Sequence, residues 1–369
     1  METRTELDQI RQRRGISAAE LAKMVNVQRQ TIYAIEAGDY VPNTTLALQL
    51  AQVLEVRVED LFRIEAEPAP LKQVSAELLS AGAMGKGQPV QLCQVAKKLI
   101  AVPANAHTLM LPVAHGVVAQ THAAKADVQI FPDDTDGARR LLIAGCDPGI
   151  SLLAQHLARF DSIEIVMAPS SSGQALEWLK QGKVHIAGTH LKDAATGEYN
   201  LPHIRKLFGK EPVRVVTFAI WEQGLVMRTG NPKQIRGVED LARKDVTFIN
   251  REKGAGSRDV LDQHLRKAGI APAKVRGFDH IAPGHLPAAL AVSEGEADCC
   301  IATRSAARAF GLHFLPLATE RYDLVVRRAH LRLPSVQAVF DVLSRSAVRR
   351  KLEMLAGYDT SHTGETVLA

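Results

Sequence analysis

From Leu141 to the end of the 369-residue chain, short apolar stretches alternate with helical patterns and polar loops. The apolar stretches have the length and composition of buried strands, and they cover residues 141–145, 162–168, 184–188, 213–220, 246–250, 297–302 and 322–326. Strands that alternate with helices are typical of a mostly parallel sheet with helices on both faces. We therefore expect residues 140–369 to form an α/β domain that binds its ligand at the carboxyl ends of the strands.

The first 64 residues show a different pattern, which consists of short amphipathic helices. The predicted helices cover residues 4–13, 18–25, 28–37 and 44–54, and residues 58–62 close the unit. Ser17 and Glu20 have the spacing of a capping box at the start of the second helix. The short turn between the second and third helices predicts an all-α helix-turn-helix head, residues 1–64, that binds double-stranded DNA.

The third helix begins with polar side chains, and this end of a recognition helix reaches base edges in the major groove. The residues expected to contact DNA are Lys23, Gln28, Arg29, Gln30, Thr31 and Tyr33. Arg29 can pair with guanine, and Gln28 or Gln30 can pair with adenine. The other three side chains are expected to hold phosphates.

Net charge gives the DNA-binding hypothesis little support. The chain has a net charge of +5 and a pI near 9.0, but residues 1–63 hold eight basic and nine acidic side chains. DNA binding must therefore depend on where the charges lie. The basic residues that cluster early in the head are Arg11, Arg13, Arg14, Lys23 and Arg29.

Residues 65–139 are expected to form a linker and a small β-rich segment. Residues 65–70 contain two prolines among small and acidic residues, which is typical of a linker. Residues 88–103 and 108–120 have alternating strand character. The predicted architecture is therefore multi-domain: a helical head, a β-rich connector and an α/β domain.

Two loops of the α/β domain have the composition of anion-binding loops. Residues 170–173 and 254–258 are rich in serine and glycine, follow strands and open helices. The amino terminus of a helix carries free amides and the positive end of the dipole, so it attracts oxyanions. Each loop alone is common, but two at one sheet edge suggest an anion between two lobes. Asp147 would repel a dianion, and we expect it to cap a helix.

The head resembles a known family of DNA-binding proteins. Residues 4–63 contain the pattern LxxIRxxRGISxxELAxxVxVxRQTIYxIExG, which is similar to the phage-repressor-like (Cro/C1, XRE-type) helix-turn-helix family. That family binds operators as dimers, so the resemblance implies a homodimer. The chain departs from the family at Gln28, where a serine often caps the recognition helix.

Residues 140–365 resemble the periplasmic-binding-protein-like domain of molybdate-type regulators. The resemblance rests on GCDPGISLL, PSSSGQALEWLKQGKVHIAGTHLKDAATGEYN, GLVMRTGNP, FINREKGAGSRDVLDQHL, EGEADCCIA, PLATERYDLVV and GYDTSHTGE. It implies two α/β lobes and a tetrahedral dianion, molybdate or tungstate, as the sensed ligand. The implied anion-binding residues are Ser171, Ser172, Thr189, His190, Asn250, Arg251, Ser257, Arg258 and Tyr322. Secreted molybdate binders use neutral donors, so the two arginines leave open another anion or an organic acid.

Several classes of protein are not expected. The four cysteines form no C-x-x-C pair, so neither a disulfide framework nor a zinc site is predicted. Asp279, His280 and His285 lack the spacing of a metal site and are interpreted as a loop lining. No metal or other cofactor is predicted. The absence of an apolar run of about 18 residues and of a signal peptide predicts a cytoplasmic protein without membrane contact.

Three functions remain after these exclusions. A one-component transcription regulator that senses a small oxyanion fits both resemblances. An enzyme with a regulatory head is not expected because no G-x-S-x-G, P-loop or H-E-x-x-H pattern occurs, although Cys146 paired with a histidine in the cleft would favour it. A protein-interaction module would lack sequence-dependent affinity for DNA. The ligand, the operator and the direction of regulation stay open.

Overall fold

A computed structural model describes residues 3–64, 72–80, 86–104, 112–132, 137, 139–193 and 195–368. The chain divides into two compact units, residues 1–71 and residues 72–369. The predicted linker over residues 65–70 lies outside the described residues, as does part of the predicted strand over residues 108–120.

The first unit is helical, as predicted. Its helices are α1 (Leu7–Arg13), α2 (Ala18–Met24), α3 (Arg29–Glu36), α4 (Thr44–Leu54) and α5 (Val58–Leu61). Two short strands, β1 (Thr3–Thr5) and β2 (Phe62–Ile64), pair antiparallel and join the ends of the unit. The prediction of helix from residue 4 was therefore wrong, because these residues pair with the other end of the unit. The fully buried side chains of its core are Leu7, Leu21, Ile32, Leu50 and Leu61.

The helix ends of this unit follow local sequence signals. The Ser17 hydroxyl accepts from the Glu20 amide at 3.2 Å, and the Glu20 carboxylate accepts from the Ser17 amide at 2.8 Å, which confirms the capping box. Asn43 caps α4 by accepting from the Leu46 amide at 2.9 Å. Gln28 precedes α3 without a side-chain cap, as its departure from serine suggested.

The second unit begins with a closed five-stranded barrel, which confirms the predicted β-rich segment. Its strands are β3 (Gln73–Leu78), β4 (Pro89–Val95), β5 (Lys98–Pro103), β6 (Gly116–His122) and β7 (Lys125–Ile130). They close in the order β3-β5-β4-β6-β7. Alternate side chains face inward and form a small apolar core that includes Ala76, Val90, Ala101 and Val128.

The rest of the unit is an eight-stranded sheet with helices packed against it. Its strands are β8 (Arg140–Gly145), β9 (Glu164–Pro169), β10 (Ile186–Thr189), β11 (Val213–Met227), β12 (Phe248–Ile249), β13 (Cys299–Thr303), β14 (His313–Arg327) and β15 (Thr366–Leu368). Its α-helices are α6 (Ile150–Phe160), α7 (Ser172–Lys180), α8 (Leu201–Phe208), α9 (Gly256–Lys267), α10 (His285–Glu294), α11 (Arg304–Ala309), α12 (Pro334–Ser344) and α13 (Ser346–Lys351). Among the described residues, no helix has both the length and the apolar character that a membrane crossing needs.

The sheet is mixed, so the prediction of a mostly parallel sheet was wrong. β8 pairs parallel with β9 and β10, and β12 pairs parallel with β13. β11 and β14, each 15 residues long, pair antiparallel along their lengths. The apolar patterns at 213–220 and 322–326 covered about half of β11 and a third of β14, because the remaining parts contain buried polar residues such as Gln223 and Glu320.

The two long strands connect two lobes. Lobe one comprises residues 140–220 and 321–368, and lobe two comprises residues 224–317. Each lobe has its own apolar core on its helices and strands. The barrel shares a core with lobe one, where Val95 and Ile100 pack with Leu142 and Val166. The cleft lies where the long strands pass from one lobe to the other.

Candidate ligand-binding cleft

The cleft is lined by residues that follow strands of lobe one and begin helices of lobe two. Cys146 follows β8 and His190 follows β10, whereas Gly256 and His285 begin α9 and α10. A Cβ atom at Gly256 would overlap the His190 ring, 2.5 Å from Nδ1. The two lobes are therefore in direct contact at this point, and the cleft is closed.

His190 is the most heavily bonded side chain of the cleft. Its Nδ1 lies 2.7 Å from Glu320 Oε2, and its Nε2 lies 3.3 Å from Cys146 Sγ. Burial by itself would lower the pKa of this side chain, but the neighbouring Cys146 and Glu320 raise the pKa of His190 to about 10. Its backbone amide donates to the Ser172 hydroxyl at 3.1 Å, which ties the ring to the start of α7.

Tyr322 forms the floor of the cleft beneath His190. Its hydroxyl accepts from the Cys146 amide at 3.3 Å, and its ring centroid lies 5.8 Å from that of His190. Burial raises the pKa of Tyr322 well above its usual value, so it stays protonated. The ring needs glycine on the neighbouring strands, because a Cβ at Gly145 or Gly188 would overlap its hydroxyl.

Trp221 and His285 form the apolar side of the cleft. The Trp221 ring centroid lies 5.0 Å from that of His190 and 5.3 Å from that of His285. Burial, together with the charge of Arg251, lowers the pKa of His285 well below its usual value, so the ring is neutral. Among the described residues, neither ring nitrogen of His285 has a hydrogen-bond partner, and neither does Trp221 Nε1.

Asp147 holds the turn beneath the cleft. Its Oδ1 accepts from the Gly149 amide at 2.6 Å and from the Tyr358 hydroxyl at 2.9 Å. Burial raises the pKa of Asp147 to about 6. Helix α6 begins at Ile150 with Gly149 as its N-cap, so the prediction that Asp147 caps the helix was wrong by two residues.

Three predicted anion ligands of lobe one use their hydroxyls inside the protein. Ser171 caps α7 by accepting from the Gln174 amide at 3.3 Å. Ser172 is fully buried and holds His190, and Thr189 donates to Asn200 Oδ1 at 3.2 Å. Ser170, the residue before this cap, instead has a buried hydroxyl without a partner among the described residues.

Two predicted ligands of lobe two, Asn250 and Arg258, are also bonded within the protein. The Asn250 side chain accepts from the Arg251 amide and donates to the Phe278 carbonyl, both at 2.9 Å. Arg258 lies 3.1 Å from Asp262 and stacks 4.0 Å over the Phe278 ring, so its charge is balanced within the lobe.

Two lobe-two residues keep buried donors without partners. Arg251 pairs with Glu252 at 3.1 Å through Nε, but its Nη1 is buried and has no partner among the described residues. The Ser257 hydroxyl is also buried and has no partner among the described residues. It lies next to the contact of Gly256 with His190. Of the predicted ligands of lobe two, Arg251 and Ser257 are therefore the ones whose hydrogen-bond donors are not used within the described residues.

The predicted DNA-contacting side chains lie on one surface of the first unit. Lys23, Gln28, Arg29, Gln30 and Tyr33 are exposed, and Thr31 is half-buried. Arg29 donates through Nε to the Tyr33 hydroxyl at 2.9 Å, and its guanidinium lies 5.0 Å from the centre of that ring. Helix α3 thus presents a preformed pair of long polar side chains.

One member of the early basic cluster is not available to DNA. Arg11 lies 2.6 Å from Glu36 and 2.7 Å from Asp8, and only 11% of its side chain is exposed. It joins α1 to α3, so it stabilises the fold of the head. Arg13, Lys23 and Arg29 remain exposed.

Both units match known families. A model described as PBP superfamily domain matches residues 154–344, and one described as helix-turn-helix matches residues 7–61. The chain belongs to the PBP superfamily. This PBP superfamily member carries an XRE-type helix-turn-helix domain in front of its two-lobed domain.

The relatives of this PBP superfamily protein cover both units. The protein YvgK of Bacillus subtilis (strain 168), named as uncharacterized, is 36% identical over 246 residues, which are 67% of this chain and 79% of YvgK. YgzD of the same organism, named as an uncharacterized HTH-type transcriptional regulator, is 41% identical over 64 residues, which are 17% of this chain and 97% of YgzD. Relatives of the head are thus named as transcriptional regulators.

Two solved structures resemble the two-lobed domain. The sulfate-binding protein SubI of Mycobacterium tuberculosis H37Rv is 17% identical with a TM-score of 0.45, and the match covers 59% of this chain and 86% of SubI. Peb3 of Campylobacter jejuni is 16% identical with a TM-score of 0.41, and the match covers 59% of this chain and 98% of Peb3. Neither TM-score reaches 0.5.

Three residues of the cleft were missed in the sequence: Trp221, Gln223 and Glu320. Gln223 and Glu320 are polar residues inside long strands, where the apolar pattern had ended. Cys146 was named only as a residue that would favour an enzyme if it paired with a histidine, and its Sγ lies 3.3 Å from His190 Nε2. His285 was interpreted as a loop lining, but it begins α10 and is buried.

Proposed function

We propose that this chain is a one-component transcription regulator that binds an operator through α3 as a homodimer and senses a small oxyanion in the cleft. Molybdate and tungstate are the first ligands to test. The helix-turn-helix domain and the relatives named as transcriptional regulators support the DNA-binding part. The PBP superfamily membership supports a ligand-binding second unit.

The observation that supports an anion site is a set of buried hydrogen-bond donors without partners. The Ser170 and Ser257 hydroxyls, Arg251 Nη1 and Trp221 Nε1 are buried and have no partner among the described residues. A buried donor without a partner costs about 1–3 kcal/mol, so an acceptor that serves several of them is strongly favoured. An oxyanion offers acceptors, and the two serines lie at helix starts: α7 begins two residues after Ser170, and Ser257 is the second residue of α9.

Calorimetric titration with molybdate, tungstate, sulfate and phosphate tests the ligand. We expect one anion to bind, and Ser257→Ala to weaken it by about 10- to 100-fold, because the variant removes a donor that the fold does not use. Ser171→Ala is the matched control, since that hydroxyl is occupied by the α7 amide. The oxyanion proposal fails if none of the four anions gives a heat of binding at concentrations well above micromolar.

Selection of bound sequences from a random DNA pool, followed by fluorescence anisotropy, tests the head. Arg29→Ala is expected to cost about 1–3 kcal/mol at one base position, whereas the exposed Arg13→Ala should leave sequence preference unchanged. The bound anion should shift operator affinity, since a sensor must bind one state of the protein better than the other. Binding without sequence preference would favour the protein-interaction module instead.

A second candidate function, thiol-dependent acyl transfer, is favoured by one specific observation. Cys146 lies next to the His190 ring, whose other nitrogen is held by Glu320, and this order of groups activates cysteine nucleophiles. In that reaction the thiolate attacks an ester carbonyl, the alcohol leaves, and water hydrolyses the thioester. The test is hydrolysis of p-nitrophenyl acetate by the wild type and by Cys146→Ser. Multiple turnovers by the wild type that are lost in the variant would support this function. Equal rates for the two proteins would exclude it.

A further inference from the structure

Three side chains that the chain keeps far apart in sequence meet in the cleft. One ligand atom each from Cys146, His190 and His285 lies within 4.8 Å of the other two. We propose that these three side chains bind a transition-metal ion of the Zn²⁺ class, and that the ion holds the two lobes together. This proposal goes beyond the oxyanion site and does not depend on it.

The donor set suits such an ion. A thiolate and two imidazoles are ligands that Zn²⁺ and Co²⁺ prefer, and three protein ligands leave a fourth position for water or another molecule. Metal–ligand bonds of about 2.0–2.3 Å place tetrahedral ligands roughly 3.3–3.7 Å apart. Cys146 Sγ and His190 Nε2 are already 3.3 Å apart, so only the third ligand has to move closer.

His190 is oriented as metal-binding histidines usually are. Such a histidine uses its second ring nitrogen to bind a carboxylate, which fixes the ring and strengthens the bond to the metal. Glu320 holds His190 Nδ1 at 2.7 Å and leaves Nε2 facing Cys146.

His285 supplies an independent observation. Its side chain is 1% exposed, and neither ring nitrogen has a partner among the described residues. An unpartnered buried polar group is unfavourable, and a metal bond to one nitrogen removes that penalty. Arg251, the cation that acts on His285, is itself paired with Glu252 at 3.1 Å.

The three ligands come from both lobes. Cys146 and His190 follow strands of lobe one, whereas His285 begins α10 of lobe two. An ion bound by all three therefore binds the closed cleft better than an open one, and this difference in affinity shifts the protein toward closure. The second unit would then respond to a metal ion as well as to an anion.

Cobalt titration of the reduced, chelator-treated full-length protein tests the site. One equivalent of Co²⁺ should give thiolate-to-cobalt charge-transfer absorption and tetrahedral d–d bands, and Zn²⁺ should abolish both. Cys146→Ser should remove the charge-transfer band, and Glu320→Gln should weaken binding by about 10- to 100-fold. Cys93→Ala, a buried cysteine of the barrel, is the matched control and should bind Co²⁺ like the wild type.

His285→Gln tests the contribution of lobe two. We expect it to bind Co²⁺ more weakly, and Zn²⁺ to protect Cys146 from iodoacetamide in the wild type but not in this variant. Thermal unfolding must show that each variant is folded; if His285→Gln is not, Cys146→Ser decides, because Cys146 is half-buried. Charge-transfer absorption that is absent from the wild type, or retained in Cys146→Ser, would overturn the proposal.

The oxyanion proposal can be judged separately from the metal site. Anion titrations are run on the metal-free protein, so a missing cobalt signal leaves their result unaffected. Ser257→Ala, which weakens anion binding under the first proposal, should still form the cobalt–thiolate complex. A Ser257→Ala variant that loses both would contradict the assignment of separate ligands to the two sites.

Discussion

At the scale of single residues, the cleft depends on two glycines that have no Cβ atom to overlap Tyr322. Tyr322 crosses two strands of lobe one, and its hydroxyl lies where Gly145 and Gly188 have no side chain. That placement lets the hydroxyl accept from the Cys146 amide and lets the ring support His190. The sequence shows only a glycine near the end of each strand, and that signal is too common to indicate a packed tyrosine.

Gly188→Ala is predicted to displace Tyr322. The new Cβ would lie 2.5 Å from Tyr322 Cζ, so the ring has to move and the cleft floor is lost. Overpacking of this kind costs about 1–3 kcal/mol. Denaturant unfolding measures the loss, and Gly173→Ala is the control because nothing lies within 4 Å of its Cβ position. Equal stability of the two variants would contradict the role given to Gly188.

His185 should make the second unit sensitive to acid. Burial, followed by the charge of His330, lowers the pKa of His185 to about 4, whereas the unfolded side chain titrates near 6.5. The unfolded chain therefore takes up a proton that the folded chain excludes between these values. Stability contributed by the neutral ring is full above pH 6.5 and falls by about 3 kcal/mol as the pH drops to 4.

Unfolding free energies measured from pH 4 to pH 7 test this prediction. His185→Asn can still accept from the Leu142 amide, which Nδ1 accepts in the wild type at 3.0 Å, but it cannot be protonated. The variant should show a flatter pH dependence than the wild type. The exposed His122→Gln should keep the wild-type slope; if it flattens the curve equally, the acid sensitivity does not come from His185.

At the scale of elements, α3 begins without the side-chain cap that its neighbours have. Gln28 occupies the N-cap position with extended backbone but makes no side-chain cap, whereas Ser17 and Asn43 cap the helices on either side in sequence. Serine, asparagine and aspartate stabilise this position by accepting from the first free amides. The chain therefore places a long amide side chain, proposed to contact DNA, where a capping residue would be more stable.

Gln28→Ser is predicted to stabilise α3 and to weaken operator binding. The gain should be about 1 kcal/mol, measured as slower hydrogen exchange of the α3 amides in the full-length protein. Fluorescence anisotropy should show weaker binding to the selected operator, because the shorter side chain cannot reach a base edge. Asn43→Ala should speed exchange in α4 instead; slower exchange without any change in DNA affinity would remove Gln28 from the proposed contact set.

Local signals explain which elements were predicted well. The bounds of α4 were predicted to the residue, because Asn43 caps it and its apolar spacing is regular. About half of β11 and a third of β14 were predicted, since Gln223 and Glu320 interrupt the apolar pattern while remaining buried. The cluster of Cys146, His190 and His285 could not be predicted, because only the tertiary fold brings these three elements together.

At the scale of the whole second unit, the contact between Gly256 and His190 limits how the lobes close. Gly256→Ala would place a methyl group 2.5 Å from His190 Nδ1, so the lobes must stay further apart. We expect anion affinity to fall at least tenfold, about 1.4 kcal/mol, because binding needs donors from both lobes. Calorimetry measures the loss, with Gly173→Ala as the control; unchanged affinity would mean that the closed contact is not needed for binding.

Under the two proposals, the same contact also limits how quickly a ligand can leave. The ligand would lie between the lobes, where α9 contacts His190, so we expect its release rate to be bounded by the frequency of lobe opening. Motions of this kind take microseconds to seconds. Two proteins with equal affinity but different opening rates would respond to a falling ligand concentration at different speeds. The residence time of the ligand would thus depend on one glycine at a helix start as well as on the groups that bind the ligand.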